Sequence, residues 1–204
     1  VDASGPFGYL AEKASTNLLV RSEDFTTTWN INGGTAVADV GVAPDGTTTM
    51  DRLDVSTTAG YHIAYPNNTV TASTTYTYSV YMKDDGAGFG GLSVGTNNKF
   101  FAVVVDLSSG LVTHTGVGAT SGTIVATGCE DAGDGIYRVW ISGNIGVTTG
   151  FCVIFASDAA VPTLTVDGLP SYLGVAGEDI LIWGAQLELG TYPTSYIPTT
   201  TTAV

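Results

Sequence analysis

Short runs rich in Val, Ile, Tyr, Phe and Thr recur along this chain between turn signals, and no stretch sustains a helical period. That pattern leaves few outcomes. Runs of roughly four to eight residues that alternate apolar and polar positions, bounded by Gly, Pro, Asn and Asp, read as strands. Many such strands without helices make a sandwich or a jelly roll. We therefore expect an all-β, jelly-roll-like β-sandwich. Its strands are expected at 17–21, 35–39, 48–54, 61–65, 75–83, 92–95, 100–106, 111–114, 123–127, 137–142, 151–156 and 180–189. The last of these is mainly apolar throughout, as in a strand buried on both faces, and a Pro-punctuated extended tail follows it.

The turns between runs carry their own chemistry. Pro44-Asp45-Gly46 fits a tight turn with Gly at a left-handed position. The loop 106–110 ends in Gly and fits a hairpin, and Asp134-Gly135 ends a turn before the strand that starts at Tyr137. The region 158–177 reads as a loop holding at most a short strand. No repeat and no second domain is legible, and 204 residues suit one sandwich. The expected layout is an entry segment at 1–15, a single sandwich at 16–198 and a linker at 199–204.

Composition narrows the function. Charged residues make up 12% of the chain, about half the usual share in a soluble domain. Thr, Ser, Asn and Gly must supply the polar surface, and an oligomer would hide more of it, so a homo-oligomer is expected. Net charge is −13 with six basic residues. Nucleic acid and anionic membrane surfaces both require a basic patch, so neither is an expected partner. No stretch approaches the roughly 20 apolar residues of a membrane span, which argues against insertion. The acidity serves solubility, or supplies oxygen ligands for calcium. Cys129 and Cys152 both fall in or beside strand-like runs; buried free thiols and a single disulfide between neighbouring strands both remain open.

Alternation sorts side chains onto faces. In the 76–83 run, Tyr76, Tyr78, Val80 and Met82 share one face; Thr77, Ser79, Tyr81 and Lys83 share the other. In the 137–142 run, Tyr137, Val139 and Ile141 oppose Arg138, Trp140 and Ser142. The first set in each run is expected in the core. The second sets place Trp140, Tyr81, Arg138 and Lys83 among small hydroxyls. A pyranose ring presents a flat patch of C–H bonds that stacks on an aromatic face, and its hydroxyls need a few placed donors and acceptors. These residues are thus a candidate sugar platform, unless a further layer, a loop or a neighbouring subunit covers them. In Tyr61-His62-Ile63-Ala64-Tyr65, the two tyrosines are expected in the core with Ile63, which would turn His62 outward as a further ligand contact. Trp29, after Phe25, reads as a packing residue in the first loop.

Catalytic signals are poor. His62 and His114 have no metal-ligand spacing, no Gly-x-Ser-x-Gly elbow occurs, and nothing in the spacing places a cysteine beside a histidine. The adjacent pairs Asp84-Asp85, Glu130-Asp131 and Glu178-Asp179 would point to opposite faces of a strand, which suits loops better than a glycosidase dyad. The expectation is a protein that is not an enzyme. A jelly-roll hydrolase or lyase is the remote alternative.

The order of segments resembles the carbohydrate-binding-like modules of bacteriophage tail and head-fibre proteins and of some bacterial surface proteins. The residues that carry this are Thr16-Asn17-Leu18-Leu19 with Ser22-Glu23-Asp24-Phe25 and Trp29, then Ala43-Pro44-Asp45-Gly46-Thr47 and Tyr78-Ser79-Val80-Tyr81-Met82-Lys83. Asp106-Leu107-Ser108-Ser109-Gly110 and Gly133-Asp134-Gly135-Ile136-Tyr137-Arg138 follow. Ile182-Trp183-Gly184-Ala185-Gln186-Leu187-Glu188 closes the match together with residues 194–199. The resemblance spans roughly 8–199. It implies a jelly-roll sandwich that binds a polysaccharide or cell-surface glycan without catalysis, on a virion surface or outside a cell. A fibre setting implies a trimer. Related modules hold a structural calcium through acids of the first and last strands; here the last strand has Gly184 and Ala185 at the acidic pair, leaving Glu23 and Asp24 as metal ligands. The family tends to carry a small residue where this chain has Trp140, which points to a ligand or partner contact particular to this chain. The rival expectation is a virion assembly or decoration domain with no sugar ligand.

Overall fold

The computed structural model describes residues 12–68, 70–146 and 150–204. The strands are β1 (Asn30–Asn32), β2 (Gly34–Gly41), β3 (Met50–Val55), β4 (Ala59–Gly60), β5 (Ile63–Tyr65), β6 (Tyr76–Asp85) and β7 (Phe89–Thr96). Then follow β8 (Lys99–Asp106), β9 (Leu111–Val117), β10 (Thr123–Gly133), β11 (Ile136–Asn144), β12 (Phe151–Ser157), β13 (Tyr172–Leu173) and β14 (Asp179–Leu189). Two antiparallel six-stranded sheets pack face to face as a jelly-roll-like β-sandwich. The first runs β1-β5-β12-β7-β8-β9 and the second β10-β11-β6-β14-β3-β2. β4 and β13 form a small separate ribbon. Among the described residues no helix is long and apolar enough to cross a membrane.

The core lies between the sheets and follows the period-two pattern. Tyr76, Tyr78, Val80 and Met82 of β6 and Val139 and Ile141 of β11 meet Leu92 and Val94 of β7 and Phe101, Val103 and Val105 of β8. Burying each such side chain is worth about 1.5–3 kcal/mol. The turns form as their chemistry requires. The Gly46 amide donates to the Ala43 carbonyl at 2.9 Å, with Gly46 at φ 86°. Between β10 and β11, Asp134 and Gly135 both take left-handed angles, as a two-residue hairpin loop demands. The Gly110 amide donates to the Asp106 carbonyl at 2.8 Å and closes the β8–β9 turn.

Two expectations change. The 17–21 segment is extended but forms no strand; two of its amides donate to the C-terminal residues, Asn17 to the Val204 carbonyl at 2.7 Å and Arg21 to that of Thr200 at 2.6 Å. Residues 199–204 consequently do not hang free as a linker. Thr199 is buried, and its hydroxyl donates to the Leu19 carbonyl at 2.8 Å. Of the expected entry segment at 1–15, residues 1–11 lie outside the described residues; Ser15 donates to Glu188 at 2.6 Å.

Both sheets also carry apolar side chains on their outer faces, which alternation alone does not reveal. On the second sheet, Met50, Ile136, Leu181 and Trp183 form one outer cluster with Tyr81 and Tyr196. On the first, Ile63, Val104, Val153, Phe155 and Leu169 form another with Tyr61, Tyr65 and Phe89.

Candidate functional site

The outer face of the second sheet holds the platform residues, and the chain's own tail lies over them. β14 carries a bulge between Trp183 and Gln186, with Gly184 at φ 63°. The bulge flips the alternation, so Ala185 and Leu187 enter the core while Gln186 and Glu188 turn outward. These two buried groups grip the tail. The Ile197 amide donates to Gln186 Oε1 at 2.7 Å, and the Thr194 amide to Glu188 Oε1 at 2.9 Å. Gln186 Nε2 donates to Glu188 Oε1 at 2.7 Å, so the carboxylate is buried with its acceptor sites occupied.

Held in this way, the tail covers the aromatics. Tyr196 packs against Trp183 at a tilt of 53°, with centroids 4.6 Å apart, and meets Tyr81 edge-on at 6.1 Å. Tyr192 reaches Trp140 at 5.6 Å. Trp140 and Arg138 are each 7% exposed. The Arg138 guanidinium lies 5.5 Å over the Tyr81 ring and donates to Ser79 Oγ at 3.2 Å. Tyr81 and Lys83 are half-buried. The structure thus brings the four residues to one face, as alternation expects, but covers the large ring that would stack on a sugar. The cover is a segment of the same chain.

His62 reverses its expected direction. Its side chain is 1% exposed, and Nδ1 lies 2.6 Å from the Gly33 carbonyl oxygen. Tyr61, Ile63 and Tyr65 do share a face, as expected, but it is the outer one. Ala64, on the opposite face, belongs to the core between the sheets. The inversion arises because both faces of β5 are apolar, so alternation groups the residues without saying which group faces the partner sheet. His114 lies on the edge strand β9. Neither histidine bonds a carboxylate among the described residues.

Glu23 and Asp24 are engaged by different donors. Glu23 Oε1 accepts from the Tyr196 hydroxyl at 2.9 Å. Asp24 accepts from Thr27 Oγ1 at 2.6 Å, from the Thr26 amide at 3.1 Å and from Arg21 Nη1 at 2.9 Å. Burial works to raise the Asp24 carboxyl, but these donors outweigh it and hold the group below its ordinary value. Among the described residues no three His, Cys, Asp or Glu side chains gather as a metal would require. The acid pair at 84–85 serves the backbone: Asp84 Oδ1 accepts from the Gly86 and Gly88 amides at 3.0 and 2.7 Å. The two cysteines are free thiols on different sheets, Cys129 on β10 and Cys152 on β12. Burial pushes each up to about 12, and each is therefore a poor nucleophile.

An aromatic-lined opening lies on the other side. The outer face of the first sheet holds a cleft of about 240 Å³. Tyr61, Tyr65 and Phe151 give it aromatic walls, Val153 and Leu169 an apolar floor, and Asn32, Thr96 and Asp167 its polar groups. β7 makes room by presenting Gly91, Ser93 and Gly95 outward; the Phe155 ring lies so close over Gly91 that a Cβ there would come within 2.4 Å of it. The loop between β12 and β13 crosses this face and supplies Asp167. Tyr65 and Phe151 meet edge-on at 6.0 Å, and Phe151 is 40% exposed. Sequence reasoning missed Phe151 and Asp167. The usable signal was the run of outward small residues on β7, which leaves a trough between flanking aromatics.

Comparison with protein-family models and with curated proteins gives no match.

Proposed function

We propose that this chain is a non-catalytic carbohydrate-binding module, and that a polysaccharide or cell-surface glycan binds in the cleft on the first sheet rather than on the Trp140 face. The observation that carries the reading is the convergence of Tyr61, Tyr65 and Phe151 with Asn32, Thr96 and Asp167 around one open cleft. Aromatic rings take the C–H face of a sugar, and the polar groups take its hydroxyls. The volume is below the roughly 300–1,000 Å³ of drug-sized sites, which suits a small ring. Single-site affinity is then weak, and several copies on one assembly raise it. The setting we infer is a fibre, spike or surface protein, from the resemblance in segment order.

Affinity electrophoresis on a panel of polysaccharides tests this. Tyr65→Ala and Phe151→Ala should each weaken retardation about tenfold, in line with the loss of one stacking ring. Trp140→Ala should leave it within about twofold, because that ring lies beneath the tail. The reverse ranking would move the site to the second sheet.

One observation favours a second reading, assembly without a sugar. β9 and β10 stand side by side as the edges of the two sheets. Leu111, Val117 and Val125 on them are exposed, and β9 has no Asp, Glu, Lys or Arg to guard its edge. On that reading, a folded chain would bind no polysaccharide, and Val125→Lys would lower its mass in sedimentation equilibrium.

A further inference from the structure

Asp167 is the one charged side chain lining the cleft among the described residues. It is held firmly. Oδ1 accepts from Thr96 Oγ1 and from the Asn97 amide, both at 2.9 Å. Behind it the loop is pinned: Gly168 sits at φ 73°, its amide donates to the Thr165 carbonyl at 3.0 Å, and a Cβ there would come within 2.4 Å of the Phe100 ring. Among the described residues, the second oxygen, Oδ2, has only a long contact with the Tyr61 hydroxyl at 3.5 Å. That hydroxyl lies 3.3 Å from Thr165 Oγ1 as well. A positioned carboxylate oxygen with spare acceptor capacity therefore faces an aromatic-walled cleft that no Lys, Arg or His lines.

We propose that the cleft selects uncharged sugars over acidic ones and that Asp167 sets the choice. The inference rests on the glycan reading above. A neutral hexose offers hydroxyls that donate to Oδ2, and a hydrogen bond to a charged acceptor is about twice as strong as a neutral one. A uronate, sulfate or phosphate at the same place offers only acceptors and a like charge, with no cation in the lining to offset it. The chain's net charge of −13 adds a long-range repulsion, but salt screens that part first.

The experiment uses pairs of immobilised polysaccharides that differ only in oxidation of the C6 hydroxymethyl group to a carboxylate. It is run at 0.5 M NaCl, where the Debye length is about 4 Å and contact selectivity persists. The parent chain should bind at least one neutral polymer about tenfold or more tightly than its oxidised partner. Asp167→Asn should narrow that ratio to about threefold or less, with near-UV dichroism unchanged. Tyr61→Phe keeps the carboxylate and should keep the parent ratio; a collapse there would assign selection to the hydroxyl instead. Equal binding to both members of each pair, or an unchanged ratio in a folded Asp167→Asn, would overturn the inference while leaving the glycan reading in place. Binding to no member of any pair would overturn the glycan reading, and the inference with it.

Discussion

Asp51 is a carboxylate buried for structural reasons. It is 1% exposed, and its two oxygens accept from the Phe25 and Asp39 amides at 2.9 and 3.0 Å. It ties the first loop to the point where β2 loses register with β3, with Asp39 in the left-handed region. Burial raises its carboxyl above the ordinary value; the two amides oppose that, and the neighbouring Asp39 and Asp24 add to it. The sign follows from proton counting. Between the unfolded value and the raised folded one, the native state binds more protons, so this group's contribution to stability falls as pH rises through the window. Asp51→Asn leaves one of the two amides without its acceptor and should cost about 1–3 kcal/mol at neutral pH. It should also remove that fall. Urea unfolding of parent and variant from pH 4 to 7 checks both, and parallel curves across the range would refute the assignment. Nothing local marked this residue; Asp51 becomes an anchor only because the first loop and the irregular stretch of the neighbouring strand β2 bring their amides to it.

At the scale of elements, the tail and β14 act together. The expectation of a buried last strand holds from Asp179 to Glu188, with Leu189 exposed, and the residues after it bond back onto the fold. The reason lies in Gly184. A one-residue bulge turns Gln186 and Glu188 to the outer face, and buried polar groups of that kind need partners. The tail supplies them and adds Tyr196, whose hydroxyl bonds Ser22 Oγ at 2.6 Å and Glu23 at 2.9 Å. Tyr196→Ala should therefore cost about 2–4 kcal/mol and wet the Trp183 ring. Equilibrium unfolding should show the loss, and tryptophan emission should shift to longer wavelength before unfolding begins. An unchanged midpoint and spectrum would mean that the tail is not part of the cooperative unit. The bulge was hard to read from the sequence, because a lone Gly in a strand signals a bulge only when the pairing register is known.

The whole molecule carries −13 with six basic residues. Arg52 is among the few cations with acid partners: it pairs with Asp54 and lies 3.8 Å from both Asp85 and Asp179. Self-repulsion of the remaining acids opposes the compact state, so raising NaCl from 10 mM to 0.3 M should raise the thermal midpoint by a few degrees, about 1 kcal/mol. A midpoint that falls with salt would mean that attractive pairs dominate. The sequence by itself determined the architecture: strand-forming runs, turn residues at left-handed positions, and the grouping of side chains onto faces, all of which depend on a few neighbouring residues. It also placed Tyr76, Tyr78, Val80 and Met82 in the core and put Trp140, Tyr81, Arg138 and Lys83 on one surface. Only the tertiary structure decided which outer face stays open. Both sheets are apolar outside as well as inside, so alternation cannot tell a covered face from a free one. The cover over Trp140 comes from residues some fifty positions away along the chain, and the room beside Tyr65 from small residues on another strand. Face membership is a property of the local pleat, whereas exposure depends on where distant segments run.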